Sequence, residues 1–206
     1  MKHNLFVLSG PSGVGKGTIA RMLVERNPEM AISISCTTRK PRPGEVDGRE
    51  YFFISREQFE KNIADGKLIE HAQYVGNYYG TPKDFVFEKL DAGKDVLLEI
   101  EIQGALQIKK KFPEALLLFV TTKDAKTLVE RLKGRGTEEE EVIYKRLKRA
   151  AEESEGIEEY EYLIINDDLD TCIRQMHDII QNAKLKADRN KAFIEEIRDQ
   201  LKQIEQ

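Results

Sequence analysis

Residues 4–18 read Asn-Leu-Phe-Val-Leu-Ser-Gly-Pro-Ser-Gly-Val-Gly-Lys-Gly-Thr, and this stretch decides the fold. The apolar run Leu5 to Leu8 reads as a buried strand. It enters a loop in which Gly10, Gly13, Gly15 and Gly17 surround a single lysine, Lys16. Ile19, Ala20, Leu23 and Val24 then recur at helical spacing, so an amphipathic helix follows. Strand, glycine-rich loop, lysine and helix together make a phosphate-binding loop. Glycines let backbone N–H groups converge on phosphate oxygens, and the helix N-terminus adds partial positive charge. Gly10, Pro11, Ser12, Gly13, Val14, Gly15, Lys16, Gly17 and Thr18 are therefore the candidate triphosphate cradle, with Lys16 supplying a full charge. A glycine-rich turn that binds nothing would need neither the lysine nor the flanking elements.

The general pattern places Ser or Thr directly after the lysine, where its hydroxyl reaches Mg²⁺. Here that position is Gly17, and the hydroxyl comes at Thr18. Gly-Lys-Gly-Thr resembles the form found in small nucleotide kinases rather than that of motor ATPases or GTPase switches. It also points to Mg²⁺ held largely by phosphates and water.

The chain's 206 residues fit one α/β domain, and 40% hydrophobic with 34% charged residues is an ordinary soluble composition. The longest apolar run, Ala115 to Val120, is too short to cross a bilayer, and the apolar stretch before Ser9-Gly10-Pro11 is too short for a secretory signal. Cys36 and Cys172 suggest no disulfide framework, and three scattered histidines suggest no metal site. A cytoplasmic protein with no membrane partner is expected. The formal net charge of −4 argues against nucleic acid as a partner. An anionic substrate must then be held by local basic clusters. Two are present: Arg39-Lys40-Pro41-Arg42, and a second through Arg131, Lys133, Arg135, Lys145 and Arg146.

Along the rest of the chain, Ala31 to Cys36 is predicted as one strand. Asp47-Gly48 reads as a hairpin turn before Tyr51 to Ile54, and Ser55 with Gln58 as the capping box of a helix ending near Asp65-Gly66. A second hairpin is expected about Gly76-Asn77, with Thr81-Pro82 opening the next helix and Pro at its first position. Asp95 to Glu101 and Ala115 to Thr121 are nearly continuous apolar runs separated by a helical stretch, Gly104 to Lys111. That is the pattern of parallel strands buried on both faces and joined by a crossover helix. Tyr162 to Asn166 adds another such strand, while Ala125 to Lys133 and Glu138 to Glu155 form a charged helical pair, the second capped by Thr137 with Glu140. The expected fold is α/β, a P-loop NTPase three-layer fold with a parallel β-sheet core. A hairpin-rich insert at about 33–82 and a helical lid at about 124–150 would overhang the carboxyl ends of the strands, where ligands bind.

Five further motifs follow the loop in order: Ser35-Cys-Thr-Thr-Arg-Lys-Pro-Arg, Gly76-Asn-Tyr-Tyr-Gly, Leu98-Glu-Ile-Glu-Ile-Gln-Gly, Gly134-Arg-Gly-Thr-Glu and Ile165-Asn-Asp-Asp. Together they resemble the guanylate kinase (GMP kinase) family of P-loop nucleoside monophosphate kinases, over about residues 4–185. The resemblance implies transfer of a phosphoryl group from ATP to GMP with Mg²⁺, in purine nucleotide metabolism, with those two small molecules as partners. It implies that Ser35, Glu70 and Thr81 read the guanine base and that Arg39, Arg42, Tyr51 and Tyr79 hold the GMP phosphate. The insert then binds GMP. Glu99 and Glu101 would lie between the base and Mg²⁺ with its waters, Thr18 and Glu99 nearest the metal. Both are Glu where relatives often carry Asp, so their division of roles stays open. Arg135 and Arg146 would close over ATP and act with Lys16 and Arg39 on the transferred group, and Asn166 would contact adenine.

Guanine chemistry supports this assignment. Its N1–H and N2 amine are adjacent donors that one carboxylate accepts together, while Ser or Thr hydroxyls donate to O6. Taken alone, Arg39 and Arg42 are a solvated basic turn, Glu70 a surface carboxylate, Glu99 and Glu101 strand-end charges, and Arg135 and Arg146 helix-surface charges. Two rivals follow. One is a kinase of the same architecture acting on AMP or dTMP. The other is a peptide-binding scaffold domain without catalysis, which an intact loop with Lys16, Arg39, Arg135 and Arg146 argues against. In the C-terminal helical tail, 186–206, Ile194, Ile197, Leu201 and Ile204 are spaced 3, 4 and 3 apart. That stripe fits a homodimer seam or packing on the chain's own core.

Overall fold

The apolar run after Asn4 becomes the central strand of a sheet covered on both faces. The computed structural model describes residues 4–134 and 140–204. Its first half runs β1 (Leu5–Ser9), α1 (Lys16–Glu25), β2 (Met30–Ile32), β3 (Cys36–Thr37), β4 (Phe52–Phe53), α2 (Arg56–Ala64), β5 (Leu68–Tyr74), β6 (Asn77–Pro82) and α3 (Lys83–Asp91). The second runs β7 (Asp95–Glu99), α4 (Ile102–Lys111), β8 (Leu116–Thr121), α5 (Ala125–Lys133), α6 (Glu140–Ser154), β9 (Tyr162–Ile165), α7 (Leu169–Lys184) and α8 (Lys191–Ile204).

The core sheet is parallel throughout, in the order β2-β7-β1-β8-β9. Side chains alternate along each strand, which divides the core in two. Phe6, Leu8, Leu97 and Leu118 meet Ile19 and Leu23 of α1 and Ile173, Met176 and Ile180 of α7. Leu5, Val7, Val96, Leu98 and Phe119 meet Val86 of α3 and Ala105 and Ile108 of α4. This is the expected three-layer α/β fold of P-loop NTPases, with the loop after β1 at the carboxyl edge.

Between β2 and α3 the chain forms a second sheet, in the order β4-β3-β6-β5. Its small core joins Cys36, Phe59 and Leu68, with Tyr78 stacked on Phe59 at 5.2 Å between ring centroids. Here the local predictions need correction. The strand expected over Ala31 to Cys36 is two, one in each sheet: Ser33 N–H donates the last bond to the core sheet, at the Leu97 carbonyl (3.0 Å). Asp47-Gly48 turns the chain, with Gly48 N–H on the Tyr51 carbonyl at 2.9 Å, but makes no hairpin, because β4 runs parallel to β3. The β5–β6 turn is Val75-Gly76, with φ of 45° and 77°, because Tyr74 pairs with Asn77. Two positive φ values are what a two-residue hairpin turn with the strand twist demands. Pro82 sits at the N-cap of α3 rather than inside it, and Glu101 is the N-cap of α4 rather than the end of β7. Ser55 caps α2 through Gln58 N–H as expected, whereas the Gln58 side chain turns to Asn62. The Thr137 cap lies outside the described residues.

Candidate active site

The phosphate loop is shaped by its backbone. Gly10, Gly13 and Gly15 have φ of 151°, 99° and 95°. A Cβ on Gly10 would lie 2.1 Å from the Val120 carbonyl oxygen of β8, so only glycine fits where loop and sheet meet. Lys16, the first residue of α1, folds back so that Nζ donates to the Gly10 carbonyl at 2.5 Å. Behind the loop, the Val14 carbonyl accepts from Asn166 Nδ2 at 2.7 Å, and Arg131 donates to the Asn166 carbonyl at 2.8 Å. In front of it, Arg146 of α6 donates to Ser12 Oγ.

The opposite wall is built from side chains. Thr81 Oγ1 donates to Glu70 Oε1 at 2.6 Å, and the Ser35 hydroxyl lies 3.2 Å from that of Thr81. With the Thr81 proton committed to Glu70, Ser35 is the donor of the second bond. Glu70 owes its aim to a bulge in β5: Leu68 pairs with Pro82 but Glu70 with Thr81. Glu70 is 2% exposed. Burial pushes its carboxyl up to about 7, with a push from Glu101 added and with Thr81 and Lys111 opposing. The Arg39 fork is bidentate on Glu45, at 2.8 and 3.0 Å, with the guanidinium 5.3 Å from the Tyr51 ring centroid. Against the penalty of burial, bonds from Arg39 and from the Arg42 N–H hold Glu45 below the ordinary carboxylate range. Tyr51 meets Tyr79 edge-on, and burial followed by Glu99 raises its hydroxyl, which stays protonated.

Both walls face one cleft of about 230 Å³. Pro11, Ser12, Gly13, Gly15, Lys16, Gly17 and Thr18 line it from the loop. Ser35, Arg39, Arg42, Tyr51, Glu70 and Tyr79 line it from the second sheet and its loops, and Glu99, Glu101 and Arg146 also face it. Of the remaining candidates, Gly10 and Val14 are buried within the loop, Thr81 stands behind Glu70, and Asn166 stands behind Val14. Arg135 lies outside the described residues. Two contributors escaped the sequence reading. Tyr74 lines the cleft on the face of β5 shared by Glu70 and Ala72, a period-2 pattern that marks it in the sequence. Glu45 had no signal beyond sitting six residues from Arg39.

The donors near the loop suit magnesium, which takes oxygen ligands and keeps several waters. A Cβ on Gly17 would stand 3.5 Å from Glu99 Oε2, so the side-chain space vacated at position 17 opens onto a carboxylate. Burial, then Glu101, raises the Glu99 carboxyl, and Lys16 opposes them. Among the described residues no cluster of three metal-ligating side chains occurs.

A triphosphate cradle facing a second, arginine-lined pocket across a single cleft defines a P-loop kinase acting on a small phosphorylated acceptor. Comparison with known proteins makes this particular. The guanylate kinase family model matches residues 2–183. The chain is 48% identical over 196 residues to a guanylate kinase of Caldanaerobacter subterraneus, covering 95% of each. It is 50% identical over 186 residues to one of Streptococcus thermophilus, covering 90% of this chain and 89% of that one. The crystal structure of guanylate kinase from Anaplasma phagocytophilum superimposes with a TM-score of 0.77 at 32% identity, over 91% of this chain and 89% of that one. The chain belongs to the guanylate kinase family and is an ATP-dependent nucleoside monophosphate kinase.

Proposed function

We propose the following division of labour in the guanylate kinase reaction, in which the γ-phosphoryl group of ATP passes to the phosphate of GMP, giving ADP and GDP. The loop from Gly10 to Thr18 cradles the ATP phosphates by backbone N–H groups, and Lys16 leaves the Gly10 carbonyl for a phosphate oxygen. Asn166 and Arg131 hold the loop's shape through the Val14 and Asn166 carbonyls, and Asn166 is also assigned to adenine. Thr18 and Glu99 would hold Mg²⁺, and the metal would supply charge neutralisation at the donor phosphates. Arg39, Arg42, Tyr51 and Tyr79 hold the GMP phosphate; Arg39 exchanges Glu45 for it, one bidentate anion for another. Arg146, with Arg135, stabilises the group in flight.

Glu70 accepts both guanine donors, and Ser35 and Thr81 set its neighbourhood. Glu101 shares the acidic wall with Glu99. GMP's phosphate oxygen is the nucleophile and is ionised at neutral pH, so no general base is assigned. Residues 33–82 form the GMP-binding unit, 124–150 the lid and 186–206 the tail. Among the described residues no helix is long and apolar enough to cross a membrane. A cytoplasmic location fits the ATP requirement and the two free, buried thiols. The exposed α8 stripe is assigned to a second copy of the chain.

The observation that carries this reading is Glu70, a buried carboxylate across the cleft from Lys16 and bonded to Thr81. A coupled ADP-release assay over GMP, AMP and dTMP tests it. The protein should prefer GMP, and Glu70→Ala should erase that preference. A Glu70→Ala variant that still favours GMP over AMP overturns the base assignment.

A further inference from the structure

Gly104 is buried in the first turn of α4, and its φ lies outside the left-handed region. Its backbone therefore does not demand glycine, and alanine would favour the helix. What excludes a side chain there is Glu70. A Cβ on Gly104 falls 2.0 Å from Glu70 Oε2 and 2.9 Å from its Cδ. The carboxylate rests directly on the bare face of the helix.

The same face of α4 grips the strand that carries Glu70. Gly104, Gln107 and Lys111 are spaced three and four apart, one stripe of the helix. Gln107 Nε2 donates to the His71 carbonyl at 2.6 Å, and its Oε1 accepts from His71 N–H at 3.3 Å. Lys111 Nζ donates to the Ile69 carbonyl at 2.6 Å. β5 is an edge strand, bonded in its sheet to β6 alone, so these side chains satisfy its open side at the residues flanking Glu70. The bulge between Leu68 and Glu70 then sets which residue meets position 104.

We propose that Gly104 is a specificity-determining positioning residue: its missing side chain is the seat that holds the Glu70 carboxylate toward the base, while Gln107 and Lys111 lock the strand in register above it. The inference rests on Glu70 being the base reader. A methyl at 104 meets the far end of a side chain, which yields before the helix does. To yield, Glu70 must leave Thr81 and swing its acceptors away from the guanine donors. The fold survives and the recognition geometry is lost.

The test is a double-mutant cycle read by steady-state kinetics and melting temperature. Gly104→Ala should raise KM for GMP about tenfold or more while KM for ATP stays within about twofold. In a Glu70→Ala background the same change should leave KM for GMP unmoved and raise Tm, because no carboxylate is displaced and alanine suits the helix. If Gly104→Ala alone fails to fold while the double variant folds, the seat is supported; if both fail, it is overturned. An unchanged KM for GMP in Gly104→Ala, or an equal rise in both backgrounds, also overturns it and leaves the base assignment standing. If Glu70→Ala by itself keeps the preference for GMP over AMP, the base assignment falls and this inference with it.

Discussion

The two walls of the cleft are made of different material. The donor wall is backbone: a contiguous loop whose shape comes from positive-φ glycines and the close approach of Gly10 to β8. The acceptor wall is side chain: Ser35, Arg39, Glu70 and Tyr79 arrive from separate segments and are held by partners of their own, such as Glu45 and Thr81. Backbone N–H groups recognise charge and geometry, which every nucleoside triphosphate shares. Side-chain donors and acceptors recognise identity, because a mismatched base leaves a buried group unpaired. Damage to the donor wall should therefore stop turnover with every acceptor, and damage to the acceptor wall should change which acceptor is used.

Lys16→Ala is the severest test of that division. It should lower kcat by about 10²–10³-fold or more, the scale of losing a preorganised charge at the transferred group. KM for GMP should change little, because the acceptor wall is untouched. Steady-state ADP release at varied GMP reads both. A KM for GMP that rises as far as kcat falls would show that the walls are not independent.

Acidity sharpens the acceptor side. The Glu70 carboxyl is pushed up to about 7 by burial first, then Glu101, with Thr81 and Lys111 opposing. Below that value it is mostly neutral and, as the proposed base reader, would accept the guanine donors poorly; above it the carboxylate is formed. KM for GMP should fall as pH rises from about 6 to 8, by up to about tenfold. Glu70→Gln should lose that part of the profile and keep the part that belongs to the GMP phosphate. The stability sign is opposite. The folded pKa is raised, so the contribution is present below the unfolded value near 4.5 and is lost as pH rises through about 7. Ionising the buried group costs roughly 3 kcal/mol at most. Without nucleotide, Glu70→Gln should melt higher than the parent at pH 8 and nearly level with it at pH 5. A Glu70→Gln variant with the same margin over the parent at both pH values would contradict the buried-acid account.

The same contrast explains what the sequence made legible. The donor wall is local, so residues 4–18 carry nearly all of it, down to the helix beginning at Lys16. The acceptor wall depends on pairing between distant segments. Alternation runs on through Ala31 to Cys36 although the chain changes sheets there, since no glycine or proline marks the step. Asp47-Gly48 correctly marked a turn, but whether its arms pair is decided by β3, which lies outside the local pattern. At the β5–β6 turn, Val75 takes a positive φ that β-branched residues avoid, so the signal pointed one residue too far on. Gly104 was visible as part of a motif. Its use as a seat for Glu70 needed the contact between α4 and β5.

The smallest effect lies away from both walls. None of the described α8 side chains is buried; of the stripe, Ile194 is half-buried while Ile197, Leu201 and Ile204 are exposed, so most of it is left open. Before α8, Arg189 donates to Asn4 Oδ1 at 2.6 Å and to the Glu114 carbonyl at 2.5 Å, clamping that segment to the sheet's amino edge. A version ending at Asn190 keeps the clamp and removes only the helix. Its kcat and KM values should stay within about twofold of the parent and its Tm within a few degrees, because little buried area is lost. Light scattering then reads the seam: a parent with twice the monomer mass and a shortened form with one monomer mass supports it, and equal masses rule it out. Either way both walls should keep working, because every residue assigned to them precedes Asp167 in the chain.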